Sequence, residues 1–265
     1  MKKYLVIGNP IKHSLSPEIH NYWIKKNNLN AVYDKKELKS FELKKIINSI
    51  REKEIYGINV TVPFKKEVIP YLDELSVQAE NTQSVNTIFL NKDKIIGHNT
   101  DIDGFELAIK DTKFNLFGKK IFILGAGGVV PSIIFALNKM NVSEIMISNR
   151  TKSKAENLKN LFGNIKIVEW GILPDFDMII NATSLGLKDS ETINLDFSKI
   201  KKGKLFYDVI YNPEETNFLI EGKKSGGKIE NGKKMFIYQA AASFNIWHGI
   251  YPEIDNEINY LLKND

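Results

Sequence analysis

A lysine and an aspartate offer the groups that an acid–base reaction needs. Lys65 follows an apolar stretch that ends at Pro63, in "INVTVPFK", and a proline there favours the first turn of a helix. Because the positive end of a helix dipole destabilises an ammonium, this position suits a lysine that gives up and regains a proton. Asp101, in "GHNTDIDG", follows a predicted strand, and its carboxylate could hold the lysine. The alternatives are an exposed lysine, as expected for Lys66, and a helix-capping aspartate.

Two serines lie two positions apart, just before a helix-start signal. Ser14 and Ser16 precede Pro17 in "HSLSP", and proline is common at the first helical position. Two hydroxyls and the amide groups of a helix N-terminus can together bind a carboxylate. The alternative is that Ser16 only caps the helix, since serine is a favoured N-cap residue.

A glycine-rich turn separates an apolar strand from a helix in "IFILGAGGVVPSIIFAL". Glycines at this place let the backbone approach a pyrophosphate, which the amide groups of the helix N-terminus then bind. The pattern is incomplete, because Val130 stands where a third glycine is usual. Pro131 is compatible with the first turn of the helix. An ordinary glycine-rich turn is the alternative, since such a motif alone is weak evidence.

The end of the next strand indicates which nicotinamide cofactor would bind. NAD-binding folds place an acidic residue there for the ribose 2′-hydroxyl, whereas this strand ends in "SNRT" with Arg150. A guanidinium suits a 2′-phosphate, so the sequence predicts NADP rather than NAD. The alternative is that Ser153 and Glu156 form a capping box and the basic side chains are merely exposed.

Strand-like and helix-like stretches alternate along the chain. In the first hundred residues, strands such as "YLVIGNP" and "IYGINVTV" alternate with helical patterns, and "SVNTIFLNKDKIIGHNT" predicts a hairpin. This indicates a mainly parallel sheet covered on both faces. After Asp101 the pattern restarts as strand–helix units that predict a doubly wound α/β sheet, and two helices follow from about Met235 to Leu262. We therefore expect two α/β domains with a boundary near residue 101.

The composition argues against several classes of protein. The chain has no cysteine and four scattered histidines, so we expect no disulfide, no thiolate nucleophile and no metal site. Its 37 basic and 32 acidic residues give a net charge of +5 without a long basic block, which favours an anionic small molecule over nucleic acid. The apolar stretch behind Lys2 and Lys3 is short for a signal peptide, and glycines interrupt the uncharged run at 121–137. We expect a cytoplasmic protein without a membrane partner.

Nine short motifs occur in one order along the chain. They are "HSLSP", "NVTVPFK", "SVNT", "NTDIDG", "GAGG", "SNRT", "NATSLG", "YNP" and "GKKMFIYQAA". In this order they closely resemble the shikimate dehydrogenase family over essentially the whole sequence. The resemblance implies reversible, NADPH-dependent reduction of 3-dehydroshikimate to shikimate, in the pathway to chorismate and aromatic amino acids. It also implies an N-terminal α/β substrate domain (1–101, completed by 238–265) and a Rossmann-type NADP(H) domain (102–237), with C-terminal helices packing back on the first domain.

The resemblance assigns roles to residues at the matching positions. The catalytic pair would be Lys65 and Asp101. The substrate-binding residues would be Ser14, Ser16, Thr61, Lys65, Asn86, Asp101, Tyr211 and Gln239. The cofactor-binding residues would be Gly125, Ala126, Gly127, Gly128, Val129, Asn149, Arg150, Thr151, Lys154, Thr183, Ile210, Gly232 and Met235. The chain departs from the family at Val129, Val130 and Pro131, where small residues are common, and this departure concerns cofactor affinity rather than the fold.

Other functions stay open from the sequence. One is a quinate/shikimate dehydrogenase with relaxed cofactor use, against which Arg150 and the absence of a strand-end aspartate argue. A second is another two-domain dehydrogenase of the methylene-tetrahydrofolate type, which the ordered Ser14, Ser16 and Gln239 disfavour. A third is an inactive NADP-binding sensor of the same fold, which the intact Lys65 and Asp101 disfavour. The sequence leaves the oligomeric state open, and a homodimer is compatible with it.

Overall fold

Two units make up the chain in this computed structural model, which describes residues 1–188, 191–198, 200 and 202–262. Unit 1 consists of Met1–Gly104 and Ile237–Asp265, and unit 2 consists of Phe105–Phe236. The two ends of unit 2 fall inside helices, which are α4 (Asp101–Thr112) and α8 (Lys233–His248). The assignment of the substrate to one domain and the cofactor to the other stays a prediction at this point.

The sheet of unit 1 has six strands in the order β2-β1-β3-β5-β6-β4. The strands are β1 Lys2–Gly8, β2 Ala31–Glu37, β3 Gly57–Val60, β4 Glu74–Leu75, β5 Thr87–Asn91 and β6 Lys94–His98. β1 pairs in parallel with β2 and β3, whereas β5 runs antiparallel to β3 and β6. The sheet is therefore mixed, because the predicted hairpin at β5 and β6 joins neighbouring strands directly.

Helices of unit 1 cover this sheet with their apolar faces. They are α1 Ser16–Lys26, α2 Leu43–Arg51 and α3 Val77–Thr82, with most of α8, and α9 Asn256–Leu261 contacts α1. Ile46, Ile47 and Ile50 of α2 belong to the same buried cluster as Ile58 and Val85. Their spacing of three and four residues places them on one helical face, as the sequence predicts. The pattern gave no sign of α3 or β4, which are short.

The helix predicted to start at Pro63 is absent, and this expectation is wrong. Residues 63–68 form turns, followed by a single 3-10 turn at Ile69–Tyr71. The carbonyl oxygen of Lys65 accepts a hydrogen bond from Val85 N at 2.8 Å, a residue outside the segment, and Ile69 N donates to Lys66 O instead. One helical bond forms, from Val68 N to Phe64 O, but Ile69 N does not donate to Lys65 O, so the helical ladder does not continue. The argument from a helix dipole therefore does not apply to Lys65.

The sheet of unit 2 is doubly wound, as the sequence predicts. Its six strands lie in the order β12-β11-β10-β7-β8-β9, and all neighbouring pairs are parallel. The strands are β7 Lys120–Leu124, β8 Glu144–Ser148, β9 Ile165–Ile167, β10 Met178–Asn181, β11 Leu205–Asp208 and β12 Lys228–Glu230. The helices are α5 Val130–Lys139, α6 Lys152–Phe162 and α7 Asn217–Lys224 with most of α4. The sequence reading did not anticipate α7 and β12.

The two central strands of unit 2 determine where a ligand can bind. β7 and β10 are buried almost throughout, which accords with their continuous apolar sequence and with helices on both faces of the sheet. Chain order reverses between them, because later strands extend outward from β7 on one side and from β10 on the other. In such sheets, ligands bind at the carboxyl ends of the strands beside this reversal. None of the described helices is long and apolar enough to cross a membrane.

Candidate active site

Lys65 and Asp101 form a buried ion pair in unit 1. Lys65 Nζ lies 2.5 Å from Asp101 Oδ2, and the two side chains are only 12% and 8% exposed. The neighbouring Lys66 is exposed. A charge pair shielded from water interacts more strongly than one at the surface, and removing one partner would leave the other uncompensated. The alternatives of a surface lysine and a simple helix cap therefore do not describe this pair.

Core residues on both sides of Lys65 fix its position. Phe64 and Val68 are 1% and 0% exposed and belong to the apolar core of unit 1. The hydrogen bond from Val85 N to Lys65 O ties the same turn to the chain just before β5. Asp101 is fixed independently as the first residue of α4, where its backbone N–H donates to Asn99 Oδ1 at 3.1 Å. The pair therefore joins two anchored segments that lie 36 residues apart.

An asparagine amide holds the second oxygen of Asp101. Asn86 Nδ2 donates to Asp101 Oδ1 and to Thr100 Oγ1, both at 2.9 Å, and lies 3.4 Å from Gln239 Oε1. Asn86 Oδ1 accepts from Thr100 N at 2.8 Å. Because opposite ends of the amide have different partners, these bonds fix its orientation. Lys65, Asp101, Asn86 and Gln239, all predicted site residues, thus lie in one hydrogen-bonded cluster.

A second polar layer lies behind Asn86 and was not assigned from the sequence. Asn59 Nδ2 donates to Asn86 O and to Ser243 Oγ, each at 3.0 Å. Asn59 Oδ1 accepts from Tyr33 Oη at 2.7 Å. Burial raises the pKa of Tyr33, so its hydroxyl keeps the proton that it donates. Asn59 occurs in the "NVTVPFK" motif, which was the available signal, whereas Tyr33 and Ser243 lie outside the motifs.

The two serines adjoin each other at the start of α1. Ser14 Oγ accepts from Ser16 N at 3.3 Å, and Ser16 is 8% exposed. The N-cap residue is Leu15, and Ser16 is the first residue of the helix. The alternative that Ser16 only caps α1 is therefore wrong. Thr61 follows β3 directly, and its N–H donates to Ile7 O at 2.9 Å.

A cavity of about 430 Å³ lies at the carboxyl ends of the strands in unit 2. Its lining includes the glycine-rich turn after β7, in which two glycines differ. Gly125 has φ +109° and a Cβ there would come within 2.7 Å of Ala182 O, whereas a Cβ at Gly127 would meet that oxygen only at 3.9 Å. Gly125 is therefore required by the fold itself. Gly127 leaves space for a ligand to approach the backbone.

The charge of this cavity is positive. Arg150 and Lys154 line it, and none of its described lining residues is acidic. The alternative of a capping box formed by Ser153 and Glu156 is wrong, because the N-cap of α6 is Thr151 and the side chain of Glu156 lies 3.7 Å from that of Lys152. Glycine amides, open space at Gly127 and two cationic side chains fit a phosphorylated dinucleotide.

A buried carboxylate holds the turn that forms another wall of the cavity. Asp208 accepts from Asn181 Nδ2 at 3.1 Å and from Thr216 Oγ1 at 2.6 Å. Asn181 Oδ1 in turn accepts from Thr183 N and Oγ1, at 3.0 and 2.7 Å. Burial raises the pKa of Asp208 to about 6, an effect that its hydrogen bonds to Thr216, Ile210 and Asn181 oppose. These bonds fix Thr183, a predicted cofactor contact, at the carboxyl end of β10.

Comparison with known proteins identifies the family. Residues 6–88 match the family model of the shikimate dehydrogenase substrate binding domain, and residues 106–206 match that of shikimate / quinate 5-dehydrogenase. A protein of Pelagibacter ubique named shikimate dehydrogenase (NADP(+)) is 59% identical over 261 residues, which cover 98% of each chain. The chain belongs to the shikimate dehydrogenase family.

Solved structures agree with this membership of the shikimate dehydrogenase family. A crystal structure of shikimate dehydrogenase in complex with NADP+ has a TM-score of 0.92 and 36% identity, covering 99% of this chain and 95% of that one. The Thermus thermophilus shikimate 5-dehydrogenase in complex with NADP(H) and shikimate has a TM-score of 0.87 and 30% identity, covering 96% and 95%. The predicted fold class is thereby confirmed.

The predicted cofactor contacts of the shikimate dehydrogenase family fall into two groups. Those that line the cavity are Gly125, Ala126, Gly127, Asn149, Arg150, Lys154 and Thr183. Those in unit 2 that the cavity lining does not include are Gly128, Val129, Thr151, Ile210, Gly232 and Met235. Lining residues that the sequence did not suggest include Trp170 and Thr192, which lie outside the family motifs. The roles of all these residues stay predictions.

Two further predictions concern groups at other places. Tyr211, predicted to bind substrate, belongs to unit 2, where its ring stacks on Phe236 at 5.0 Å between centroids. Among the residues that the structure describes, no cluster of three or more His, Cys, Asp or Glu side chains could hold a metal ion.

Proposed function

We propose that this protein reduces 3-dehydroshikimate to shikimate with NADPH and catalyses the reverse reaction with NADP. The observation that carries the proposal is the buried Lys65–Asp101 pair, in which Nζ and Oδ2 lie 2.5 Å apart. The name shared by relatives such as that of Pelagibacter ubique supports the choice of substrate and cofactor.

Reduction of a ketone to an alcohol needs a hydride on carbon and a proton on oxygen. NADPH supplies the hydride when bound. The Lys65 ammonium donates the proton to the carbonyl oxygen, and its charge stabilises the alkoxide that develops there. In the reverse direction the neutral amine accepts the hydroxyl proton. Asp101 holds Nζ in place and offers a nearby carboxylate to exchange protons with it.

The substrate is a polyhydroxy acid, which several fixed polar groups would recognise. We infer that Asn86, Gln239 and Thr61 bind ring hydroxyls together with Lys65 and Asp101. Asn86 is already oriented by its bonds to Asp101 and Thr100, so little ordering is needed when the substrate binds. Ser14, Ser16 and Tyr211 are the groups proposed for the carboxylate.

The cofactor would be held by the cavity of unit 2. We infer that the backbone from Gly125 to Val129 binds the pyrophosphate, since the turn leads into the N-terminus of α5. Arg150 and Lys154, with Asn149 and Thr151, would bind the 2′-phosphate. The remaining proposed contacts, toward the ribose and nicotinamide, are Thr183, Ile210, Gly232 and Met235.

A matrix of substrates and cofactors tests the proposed function. The purified protein is mixed with shikimate or quinate, each with NADP or NAD, and reduced nicotinamide is followed by absorbance. We expect rapid reduction with shikimate and NADP and much slower reduction in the other three mixtures. Comparable rates with quinate or NAD would favour the relaxed dehydrogenase. Binding of NADP without any turnover would favour the sensor and refute the proposal.

Paired lysine variants test the role of Lys65. Lys65→Met removes the ammonium but keeps the apolar stem, and we expect turnover to fall by about 10²- to 10⁴-fold, the usual contribution of a general acid–base group. Lys66→Met is the matched control, because Lys66 is adjacent and exposed, and its turnover should equal that of the wild type. Equal turnover of the two variants would remove Lys65 from the mechanism.

Two finer points of the proposal concern the protein in the cell. We propose a cytoplasmic location, which fractionation of cells followed by immunoblotting would test. A homodimer stays a prediction that light scattering on the purified protein would measure directly.

A further inference from the structure

Ser243 makes an unusual number of contacts for a single hydroxyl. It lies on α8, is 0% exposed, and its Oγ lies 2.8 Å from Thr87 Oγ1, 3.0 Å from Asn59 Nδ2 and 3.1 Å from Thr100 Oγ1. It also donates to Gln239 O at 3.1 Å. A hydroxyl has one donor and two acceptor sites, so Ser243 is fully used.

The position of the Ser243 proton constrains its neighbours. When the proton goes to Gln239 O, the lone pairs of Oγ accept from Asn59 Nδ2 and from one threonine. The other threonine is then free to donate to Asn86 Oδ1, from which Thr87 Oγ1 and Thr100 Oγ1 lie 3.0 and 3.2 Å. A threonine hydroxyl thus donates to Asn86 Oδ1, and Asn86 Nδ2, at the other end of the amide, donates to Asp101 Oδ1.

These bonds close into a ring that connects α8 with the proposed catalytic pair. Asn86 Nδ2 donates to Thr100 Oγ1 and Asp101 Oδ1, and Gln239 Oε1 lies 3.4 Å from the same nitrogen. Gln239 O accepts from Ser243, whose Oγ contacts Thr100. α8 therefore holds the Asn86 amide through both the side chain of Gln239 and the hydroxyl of Ser243.

We propose that Ser243 is a positioning residue for the reaction. It does not touch the proposed substrate-binding groups of Lys65 or Asp101, and acts by fixing the Asn86 amide that bonds to Asp101 Oδ1. This inference rests on the proposed function, since it concerns the geometry of the same pair. Loss of the hydroxyl would remove a hydrogen-bond partner shared by Thr87 and Thr100, whose hydroxyls contact Asn86 Oδ1, and so loosen the Asn86 amide that bonds to Asp101.

Steady-state kinetics of two serine variants tests this inference. For Ser243→Ala we expect kcat for shikimate oxidation to fall about tenfold, while KM for NADP stays within about twofold of the wild type. Ser49→Ala is the matched control, because Ser49 is also buried in unit 1 and its Oγ donates to Ile46 O within α2. It loses a buried hydroxyl outside the cluster around Asn86, and its kcat should stay at the wild-type value.

A third variant keeps the test decisive if Ser243→Ala does not fold. Ser243→Cys retains a side chain of similar shape with a weaker hydrogen bond, so kcat should fall less, by about threefold. A kcat for either Ser243 variant equal to that of Ser49→Ala would overturn the inference while leaving the proposed function intact. A wild-type protein that does not oxidise shikimate would overturn both, so the two failures are distinguishable.

Discussion

His20 is a buried histidine whose protonation should destabilise unit 1. It is 1% exposed, and neither ring nitrogen has a hydrogen-bond partner within the part of the chain that the structure describes. Its ring stacks on Tyr33 with 4.2 Å between centroids and 1° between planes. Burial, with a smaller effect of His248, lowers the pKa of His20 to about 3. The folded protein therefore holds this imidazole in its neutral form.

The size of the effect follows from the two pKa values. In the unfolded chain His20 titrates near 6.5, so below that pH the unfolded state binds a proton that the folded state does not. The free energy of unfolding is then highest above pH 6.5 and falls as the pH decreases toward 3, by about 1.4 kcal/mol per pH unit. Between pH 7.5 and pH 5 this amounts to about 2 kcal/mol.

Urea unfolding followed by tryptophan fluorescence measures this difference. The rings of Trp23 and Trp247 lie 5.8 and 5.5 Å from the His20 ring, so two of the three tryptophans report on this part of unit 1. His20→Phe keeps an aromatic ring against Tyr33 and removes the titrating group. We expect the wild type to lose about 2 kcal/mol more than His20→Phe between pH 7.5 and pH 5.

Two other histidines, His248 and His13, serve as comparisons for His20 in this experiment. Burial and Lys2 also lower the pKa of His248, to about 4, so His20→Phe should retain part of the acid sensitivity. His13→Gln, which changes an exposed histidine, should lose as much stability as the wild type. If the wild type and His20→Phe lost equal free energy over this pH range, the argument that His20 is held neutral would be refuted.

Three further predictions concern unit 2. Gly127→Ala should leave the melting temperature unchanged but raise KM for NADP, because a Cβ there meets Ala182 O only at 3.9 Å and would occupy space needed by the cofactor. Gly232→Ala should lower the free energy of unfolding by about 1–3 kcal/mol in urea titration, since its Cβ would lie 2.1 Å from Val209 O; a neutral result would contradict the steric argument. Arg150→Ala should raise KM for NADP about 10- to 100-fold, as expected for loss of a hydrogen bond to a charged group, whereas Lys152→Ala should change it little; equal effects would argue against a 2′-phosphate contact at Arg150.

The two sheets could be predicted largely from local patterns. Continuous apolar strands such as β7 and β10 indicate burial on both faces, and the apolar residues of α2 recur at helical spacing. These signals are local, because the spacing of apolar residues along a short stretch indicates which face of a helix or strand is buried. The short elements α3, β4 and β12 were missed, since two to six residues carry too little periodicity to be distinguished from a loop.

The helix predicted to start at Pro63 is absent, because this segment makes a hydrogen bond with a residue distant along the chain. Pro63 favours a helix by itself, yet Lys65 O bonds to Val85 N, and the turn that results is held by the core contacts of Phe64 and Val68. Lys65 lies beside Asp101 in this turn, and the helix dipole expected to destabilise its ammonium is absent. The expected effect of a helix dipole on Lys65 is therefore wrong, and its catalytic role stays a prediction.

The sequence by itself determined the main strands and helices of the two sheets and the residue types available for acid–base chemistry and phosphate binding. These properties follow from local periodicity, glycine flexibility and side-chain chemistry. Only the tertiary structure decided that Lys65 contacts Asp101, which lies 36 residues further along the chain, and that Ser243 of α8 contacts Thr87 of β5, 156 residues before it. Such contacts depend on strand register and on helix packing, which bring together residues whose separation along the chain carries no periodic signal.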